Sequence, residues 1–185
     1  PTPPREDKKE STKPIVAPER LKIKGVYLLT AAKSTDPVFE SMPPVRLDID
    51  NAMQNGVQIE DFRNSVVVFD DFKNKSREFK AKSDWVDALR TDLLDKSRKL
   101  GIHLLICNHR QRSGHETALE NIEAQAFVVF YRSNKNETRK LLRNYVDMKD
   151  SQINELIDMD NGRFSSAYIS RNPSYIITNN YMYFY

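Results

Sequence analysis

Apolar runs separated by polar stretches divide most of this chain into short predicted strands and helices. A continuous run of β-branched and aromatic residues is typical of a strand that is buried on both faces, as in a parallel sheet. One further stretch, Val45–Asp50, alternates apolar and polar residues and predicts a half-exposed strand. The continuous runs lie at Val26–Thr30, Ser65–Asp70, Ile102–Cys107 and Ala126–Tyr131.

Helices are predicted between these strands, where apolar residues recur every three to four positions. The longest is predicted to begin after an N-cap at Ser83 and to end at Gly101, with a buried stripe of Trp85, Leu89 and Leu93. Strands that alternate with helices favour a mainly parallel sheet with right-handed crossovers. The other predicted helices are Glu116–Ala124, Glu137–Val146 and Ser151–Met159.

The two ends of the chain differ from this pattern. Residues 1–20 are rich in proline and charge and are predicted to be disordered. The last segment, Phe164–Tyr185, has β-rich runs split by polar residues and predicts an antiparallel hairpin or meander. The predicted fold class is therefore α/β. A mainly parallel sheet flanked by helices forms one domain over residues 21–185, which includes a terminal antiparallel β unit at 162–185.

Composition narrows the possible functions only slightly. The 185 residues carry a formal charge of +3, which permits contact with nucleic acid without requiring it. No apolar stretch approaches the ~20 residues that span a bilayer, and no signal peptide is evident, so the protein is expected to be soluble and not secreted. The single cysteine, Cys107, lies in an apolar run and is expected to be a reduced, buried thiol.

Two adjacent carboxylates, Asp70 and Asp71, end the most strongly apolar strand. Open α/β sheets bind ligands at the carboxyl ends of their strands. Asp70 is predicted to hold Mg²⁺ through its water shell, and Asp71 to orient or deprotonate an attacking water, as in P-loop NTPases. The alternative is a buried strand that ends in a polar turn.

A phosphate-binding loop of the form G-x-x-x-x-G-K-[ST] does not occur in this sequence. Only glycine lets backbone N–H groups close around phosphates, and the lysine reaches the β and γ oxygens. The glycines are Gly25, Gly56, Gly101, Gly114 and Gly162, and none precedes Lys-Ser or Lys-Thr. The chain begins at Pro1, which fits either removal of an initiator methionine or a fragment of a longer protein.

Two further residues are candidates for catalysis. Asn108 follows the strand after the acidic one, where a polar side chain can sense the γ-phosphate or position water. The alternative is a loop-forming asparagine. Arg98 is a candidate arginine finger that acts on a neighbouring subunit, or a cation that complements a helix C-terminus.

Basic loops predict contacts with DNA phosphates near the same sheet edge, although solvated surface charge is the simpler explanation for any single lysine. A zinc site at His103, Cys107 and His109, with His115 nearby, is disfavoured because the spacing matches no common zinc framework. A catalytic dyad of Cys107 and His109 is also disfavoured, since nucleophile and base normally come from separate elements. The candidate DNA contacts are Lys73, Lys75, Arg77, Arg110 and Arg112.

The order of several motifs resembles the DNA-packaging ATPases of large nucleocytoplasmic DNA viruses. The matching segments are Val66–Asp71, Ser97–Ile102, the strand that ends at Asn108-His109, Leu119–Ala124, Thr138–Tyr145, Ser151–Ile153 and Phe164–Tyr175. The resemblance covers residues 21–185 and implies the FtsK/HerA class of P-loop motors. It further implies ATP and Mg²⁺ as cofactors, double-stranded DNA as a partner, and assembly as a homo-oligomeric ring. Capsid or membrane-associated assembly proteins are further implied partners, with localisation in the host cytoplasm, at the viral factory, or in the virion.

The departures from that family leave alternatives open. The family places a strand, a Walker A loop and a helix ahead of the strand that matches Val26–Thr30, whereas this chain has a Pro- and Lys-rich segment there. The leading hypothesis is a packaging ATPase with Walker B and sensor residues whose Walker A loop lies outside this sequence. A second is a catalytically inactive homologue that serves as a structural or DNA-binding subunit. A third is a nuclease that binds metal through Asp70, Asp71 and Glu78.

Overall fold

The computed structural model describes residues 23–31, 43–70, 79–107, 120–131, 135–158 and 166–185, and the segment predicted to be disordered, 1–20, lies outside these ranges. The described residues form two four-stranded sheets, one parallel and one antiparallel. The α/β class, with a parallel sheet flanked by helices and a terminal antiparallel unit, is confirmed. The strands are β1 (Val26–Thr30), β2 (Val45–Arg46), β3 (Val66–Asp70), β4 (His103–Cys107), β5 (Ala126–Val129), β6 (Ala167–Arg171), β7 (Ser174–Thr178) and β8 (Met182–Phe184).

The parallel sheet has the strand order β2-β1-β3-β4, so the acidic strand β3 lies inside the sheet. Its register places Leu28, Val68 and Leu105 in one row across the three longer strands. Val67 and Phe69 point to the opposite face, where both are buried. The continuous apolar run therefore forms the doubly buried strand that its pattern predicts.

A 21-residue helix, α2, packs on that buried face and connects β3 to β4. Its apolar stripe is confirmed, because Val86, Leu89 and Leu93 are buried against the sheet. Gly101 ends the helix in the left-handed conformation, with φ 65°. The predicted N-cap at Ser83 is wrong, because the helix begins one turn earlier. The helices are α1 (Ile49–Asn55), a 3₁₀ turn at Ile59–Phe62, α2 (Lys80–Leu100), α3 (Lys135–Tyr145) and α4 (Asp150–Asp158).

The predicted half-exposed strand at Val45–Asp50 is wrong over its second half. Only Val45–Arg46 pairs with β1, and helix α1 begins at Ile49. The Asp48 side chain accepts a hydrogen bond from the Asn51 N–H at 3.1 Å, so Asp48 is an N-cap. Alternation over six residues did not distinguish a strand from a strand that turns into a capped helix.

The antiparallel sheet has the order β5-β6-β7-β8. The sequence predicted that Ala126–Tyr131 continues the parallel sheet, and this is wrong, because β5 pairs antiparallel with β6. One face of this sheet is covered by α3 and α4, whose Leu142, Leu156 and Ile157 are fully buried. The C-terminal part of the chain thus has a second hydrophobic core of its own.

A short helical segment, residues 120–123, leads from the parallel part of the chain into β5. On one side, Glu120 forms a buried ion pair with Arg90 of α2, at 2.8 Å. On the other side, the guanidinium group of Arg171 donates to the carbonyl oxygens of Asn121, Ile122 and Ala124 at 3.2, 2.7 and 2.9 Å. Charged groups from helix α2 and from strand β6 therefore hold this segment.

None of the helices in the described ranges is both long and apolar enough to cross a membrane.

The core of the antiparallel unit contains a tyrosine whose ionisation lowers the stability of the fold at alkaline pH. The buried hydroxyl of Tyr183 has no hydrogen-bond partner among the described residues, and burial, with Glu155 and Tyr131 nearby, raises its pKa to about 12. An unfolded tyrosine ionises near pH 10, so the unfolded chain loses its proton first as pH rises. The stabilisation is complete below pH 10 and disappears as pH rises towards 12.

We expect Tyr183→Phe to remove much of this alkaline loss. Between pH 9 and pH 11.5 the decline in unfolding free energy should be smaller than in the wild type by about 1–2 kcal/mol, after allowance for partial solvent screening. At pH 8 the variant should be as stable as the wild type or slightly more stable, because an unpaired buried hydroxyl is removed. Urea denaturation at each pH measures this. Tyr181→Phe, at an exposed tyrosine, is the control, and an equally steep decline in Tyr183→Phe contradicts the prediction.

Candidate functional site

Asp70 ends an inner strand of the parallel sheet at its carboxyl edge. In register, Asp70 lies between Thr30 of β1 and Cys107 of β4, and these three residues end their strands on the same face. Thr30 is buried, whereas Asp70 is half-buried. A carboxylate with this exposure at this edge can bind a hydrated cation or a polar ligand.

The residues that follow Asp70 and Cys107 in sequence carry most of the predicted chemistry. Asp71 and Asn108 both lie outside the described residues, so their predicted roles as water-orienting acid and sensor stay predictions. The same is true of the candidate DNA contacts Lys73, Lys75, Arg77, Arg110 and Arg112, and of Glu78, His109 and His115.

Cys107 is exposed, which corrects the expectation of a buried thiol. The residues at alternate positions of β4, His103, Leu105 and Cys107, all lie on an exposed face of this strand. Partial loss of solvent, and secondarily the neighbouring Asp70 carboxylate, raise the pKa of the Cys107 thiol. A raised pKa keeps the thiol protonated at neutral pH. Among the described residues, no three His, Cys, Asp or Glu side chains are grouped to hold a metal ion.

Arg98 lies far from Asp70 of the same chain. Because β3 and β4 are parallel, α2 runs antiparallel to them, and Arg98 in its last turn lies towards the amino edge of the sheet. The rise from Lys80 to Arg98 is about 27 Å at 1.5 Å per residue. The side chain is 73% exposed and makes a loose ion pair with Glu123 at 3.4 Å. Arg98 therefore does not act on its own Asp70, and its role as a finger towards a neighbouring subunit stays a prediction.

A cleft of about 360 Å³ opens at the carboxyl ends of β1 and β2, one strand away from Asp70. Thr30 lines the cleft and is also the register neighbour of Asp70. Its volume lies at the lower end of the range of small-molecule sites. The other lining residues are Ala31, Arg46, Leu47, Asp48, Ile49, Asp50, Phe79 and Lys82.

The polar groups of the cleft include two cations and two carboxylates. Lys82 forms an ion pair with Asp50 at 2.6 Å, and its ammonium group lies 5.7 Å from the centre of the Phe79 ring. Asp48 is committed to capping α1. Sequence reasoning missed Arg46 and Lys82, because they are 36 positions apart on different elements, β2 and α2, that only the tertiary fold brings to one cleft. The sequence feature that could have indicated the cleft is Arg46, a charged residue at the end of strand β2.

Comparison with known proteins gives little further information. No protein-family model matches the sequence, and no curated protein matches it. Among solved structures, the chain is similar to the genome packaging NTPase B204 from Sulfolobus turreted icosahedral virus 2, determined in complex with ATP-gammaS. The identity is 13%, the alignment covers 85% of this chain and 81% of that chain, and the TM-score is 0.46. The assignment of a function therefore rests on the residues of this chain.

Proposed function

We propose that this chain is a subunit of an ATP-driven motor that packages viral double-stranded DNA. Its phosphate-binding loop would come from a segment outside this sequence or from a partner chain. The observation that carries the proposal is the position of Asp70, at the carboxyl edge of an inner parallel strand and one strand away from a cleft. Because the order of motifs resembles that of packaging ATPases, we interpret Asp70 as the acid that holds Mg²⁺.

The groups at this edge fit Mg²⁺ with a nucleotide. Carboxylate oxygens are ligands that Mg²⁺ prefers, and Asp70 is half-buried, so water can reach its carboxylate. In the proposed mechanism, Asp70 would hold the cation through its water shell, and Asp71 would accept a proton from the attacking water. Asn108 would position that water against the γ-phosphate. Bound Mg·ATP would supply the phosphoryl group that passes to the water, with ADP as the leaving group.

The edge of the sheet beyond β4 is consistent with a missing strand. Among the described strands, β4 ends the parallel sheet and β5 ends the antiparallel sheet. A further parallel strand beside β4 would end at the same edge as Asp70, because parallel strands share one carboxyl edge. A loop that follows such a strand would reach the phosphates.

DNA contact is assigned to the two basic loops that follow β3 and β4 in sequence. Lys73, Lys75 and Arg77 follow the acids, and Arg110 and Arg112 follow Asn108. Contacts of this kind neutralise backbone phosphates without reading sequence, and they weaken steeply as salt rises. In a ring of subunits these loops would face the DNA, and Arg98 would approach the nucleotide of a neighbouring subunit.

Calorimetry of Mg·ATP binding tests the proposal, on this chain and on a version extended upstream through the neighbouring coding sequence. We expect only the extended protein to bind, and Asp71→Asn in that protein to lower turnover by about 10²-fold or more with binding retained. Asp92→Asn, the same charge change at an exposed position of α2, is the control.

Two other outcomes would replace the proposal. If neither version binds nucleotide, the absent Walker A loop and the retained basic loops favour the inactive homologue, a structural or DNA-binding subunit. Metal-dependent DNA cleavage without nucleotide, abolished by Asp70→Asn, would instead identify a nuclease.

A further inference from the structure

One face of the antiparallel sheet is apolar and exposed. The register aligns Val128, Tyr168, Ile177 and Met182 in one row across β5, β6, β7 and β8. Their exposed fractions are 58%, 39%, 41% and 59%. The next row on the same face includes Phe184, which is 73% exposed. We call this surface, formed by Val128, Tyr168, Ile177, Met182 and Phe184, the open β face.

The open β face is distinct from the core of the same unit. Side chains alternate between the two faces of a strand, and Ile169, Ile176 and Tyr183 point to the other face, against α3 and α4. Antiparallel sheets commonly place polar residues on the face that remains in water. Here both faces are apolar, and an exposed apolar surface of this extent is typical of an interaction site.

The composition of the open β face excludes two classes of partner. The eight strand positions on this side of the sheet are Ala126, Val128, Tyr168, Ser170, Tyr175, Ile177, Met182 and Phe184, and none is charged. Ser170 is buried among its neighbours. Nucleic acid and anionic lipid surfaces are bound through lysine and arginine. An uncharged apolar sheet face instead matches a second uncharged apolar sheet face.

The exposed area of the open β face is large enough for an interface between two copies of the chain. From their exposed fractions, the five side chains of the open β face and the adjacent Phe130 present on the order of 600 Å² per chain. Two such faces would bury about 1,200 Å², which is the lower end of specific protein interfaces. Aromatic contacts already order the surface, since Tyr175 lies 6.0 Å from Tyr168 and 6.4 Å from Phe184 between ring centres.

We propose that the open β face binds the same face of a second copy of this chain, about a twofold axis, to form a β-sandwich interface. In a twofold interface the same patch is used on both subunits, and sheets stack about 10 Å apart. Ile177, in an inner strand of the sheet, lies near the middle of the face. The interface involves none of the residues assigned to nucleotide or DNA, so its test does not depend on nucleotide binding.

Sedimentation over 1–100 µM tests the proposal on the chain as it is. We expect a species of twice the chain mass of 21.5 kDa, and Ile177→Lys or Met182→Lys should raise its dissociation constant at least tenfold. Val45→Lys, at an exposed β-branched residue of β2, should leave it unchanged. An equimolar mixture of Ile177→Lys and Ile177→Glu should recover association, because the twofold axis brings the two new charges near each other. Circular dichroism checks that each variant is folded.

The proposal is overturned if the wild-type chain is a monomer at 100 µM. It is equally overturned if an oligomer forms that Ile177→Lys and Met182→Lys do not weaken, since another surface would then be responsible. Binding of the wild-type chain to neutral phosphatidylcholine vesicles, lost in Ile177→Lys, would assign the face to lipid instead.

Discussion

Replacing Arg90 with methionine is expected to lower the free energy of unfolding by about 3–5 kcal/mol. The Arg90 side chain is 5% exposed, and its Nε lies 2.8 Å from a carboxylate oxygen of Glu120, which is equally buried. A second nitrogen of the guanidinium group lies 2.6 Å from Asp87. Methionine fills a similar volume but leaves two carboxylates without the cation that they face, and a buried carboxylate that loses its cation is strongly destabilising.

The same helix offers a matched control. Arg98 is two turns further along α2, and it pairs with Glu123 of the same short segment, but at 3.4 Å and in solvent. Arg98→Met should therefore change stability by less than about 0.5 kcal/mol. Urea denaturation followed by the fluorescence of Trp85, the chain's single tryptophan, measures both. Equal losses in the two variants would contradict the argument from burial.

A double substitution separates the charge pair from simple packing. In Arg90→Met with Glu120→Leu, no carboxylate remains at position 120, and apolar side chains of similar size fill the space. Replacement of a buried ion pair by well-packed apolar residues is often close to neutral. We therefore expect the double variant to recover much of the stability that Arg90→Met loses. A double variant that is less stable than either single variant would show that the pair itself is a net source of stability.

The local parts of the fold were predictable from sequence, because they depend on neighbouring residues. The run before Asp70 forms a buried strand, and the stripe that contains Leu89 and Leu93 forms the buried side of α2, ended by Gly101. The partner of β5 was not predictable in this way. A four-residue apolar run fits either kind of sheet, and its choice depends on pairing Ala126 with Ser170, 44 positions away.

Only part of the candidate site was predictable from the sequence. The position of Asp70 followed from the general rule that parallel sheets bind ligands at their carboxyl edge. The exposure of Cys107 was missed because an apolar run was taken to be covered on both faces, whereas β4 ends the described part of its sheet. The cleft was missed because Arg46 and Lys82 come from different elements that only the tertiary fold brings together. The roles of Asp71 and Asn108 stay predictions.

Arg171 is the second position where a single substitution is expected to have a large effect. Its guanidinium group donates to three carbonyl oxygens in residues 121–124, which connect the parallel part of the chain to β5. All three bonds come from one nitrogen, Nη1, whose two hydrogens share the three acceptors. Hydrogen bonds from a charged donor contribute more than neutral ones. Arg171→Met should cost about 2–3 kcal/mol, because water can replace part of what is lost at the exposed carbonyls.

Removal of the Arg171 hydrogen bonds should also make the two halves of the molecule unfold at different urea concentrations. Trp85 reports on the parallel sheet, while seven of the eight tyrosines lie in the C-terminal unit and dominate its near-ultraviolet circular dichroism. In the wild type we expect the two signals to change at the same urea concentration, as in a cooperative transition. In Arg171→Met the tyrosine signal should change first, because the antiparallel unit loses its charged contact with the connecting segment.

Two variants test this explanation. Arg171→Lys keeps the positive charge, but its nitrogen lies one atom closer to the backbone than Nη1 of arginine and reaches the carbonyls less well, so it should recover only part of the stability. Arg139→Met removes an exposed hydrogen bond to Asn154 within the same unit, and it should leave both transitions together. If the two signals of Arg171→Met still change at one unshifted urea concentration, Arg171 does not couple the sheets. The buried pair of Arg90 and Glu120, which links α2 to the same segment, would then be the next contact to test among the described residues.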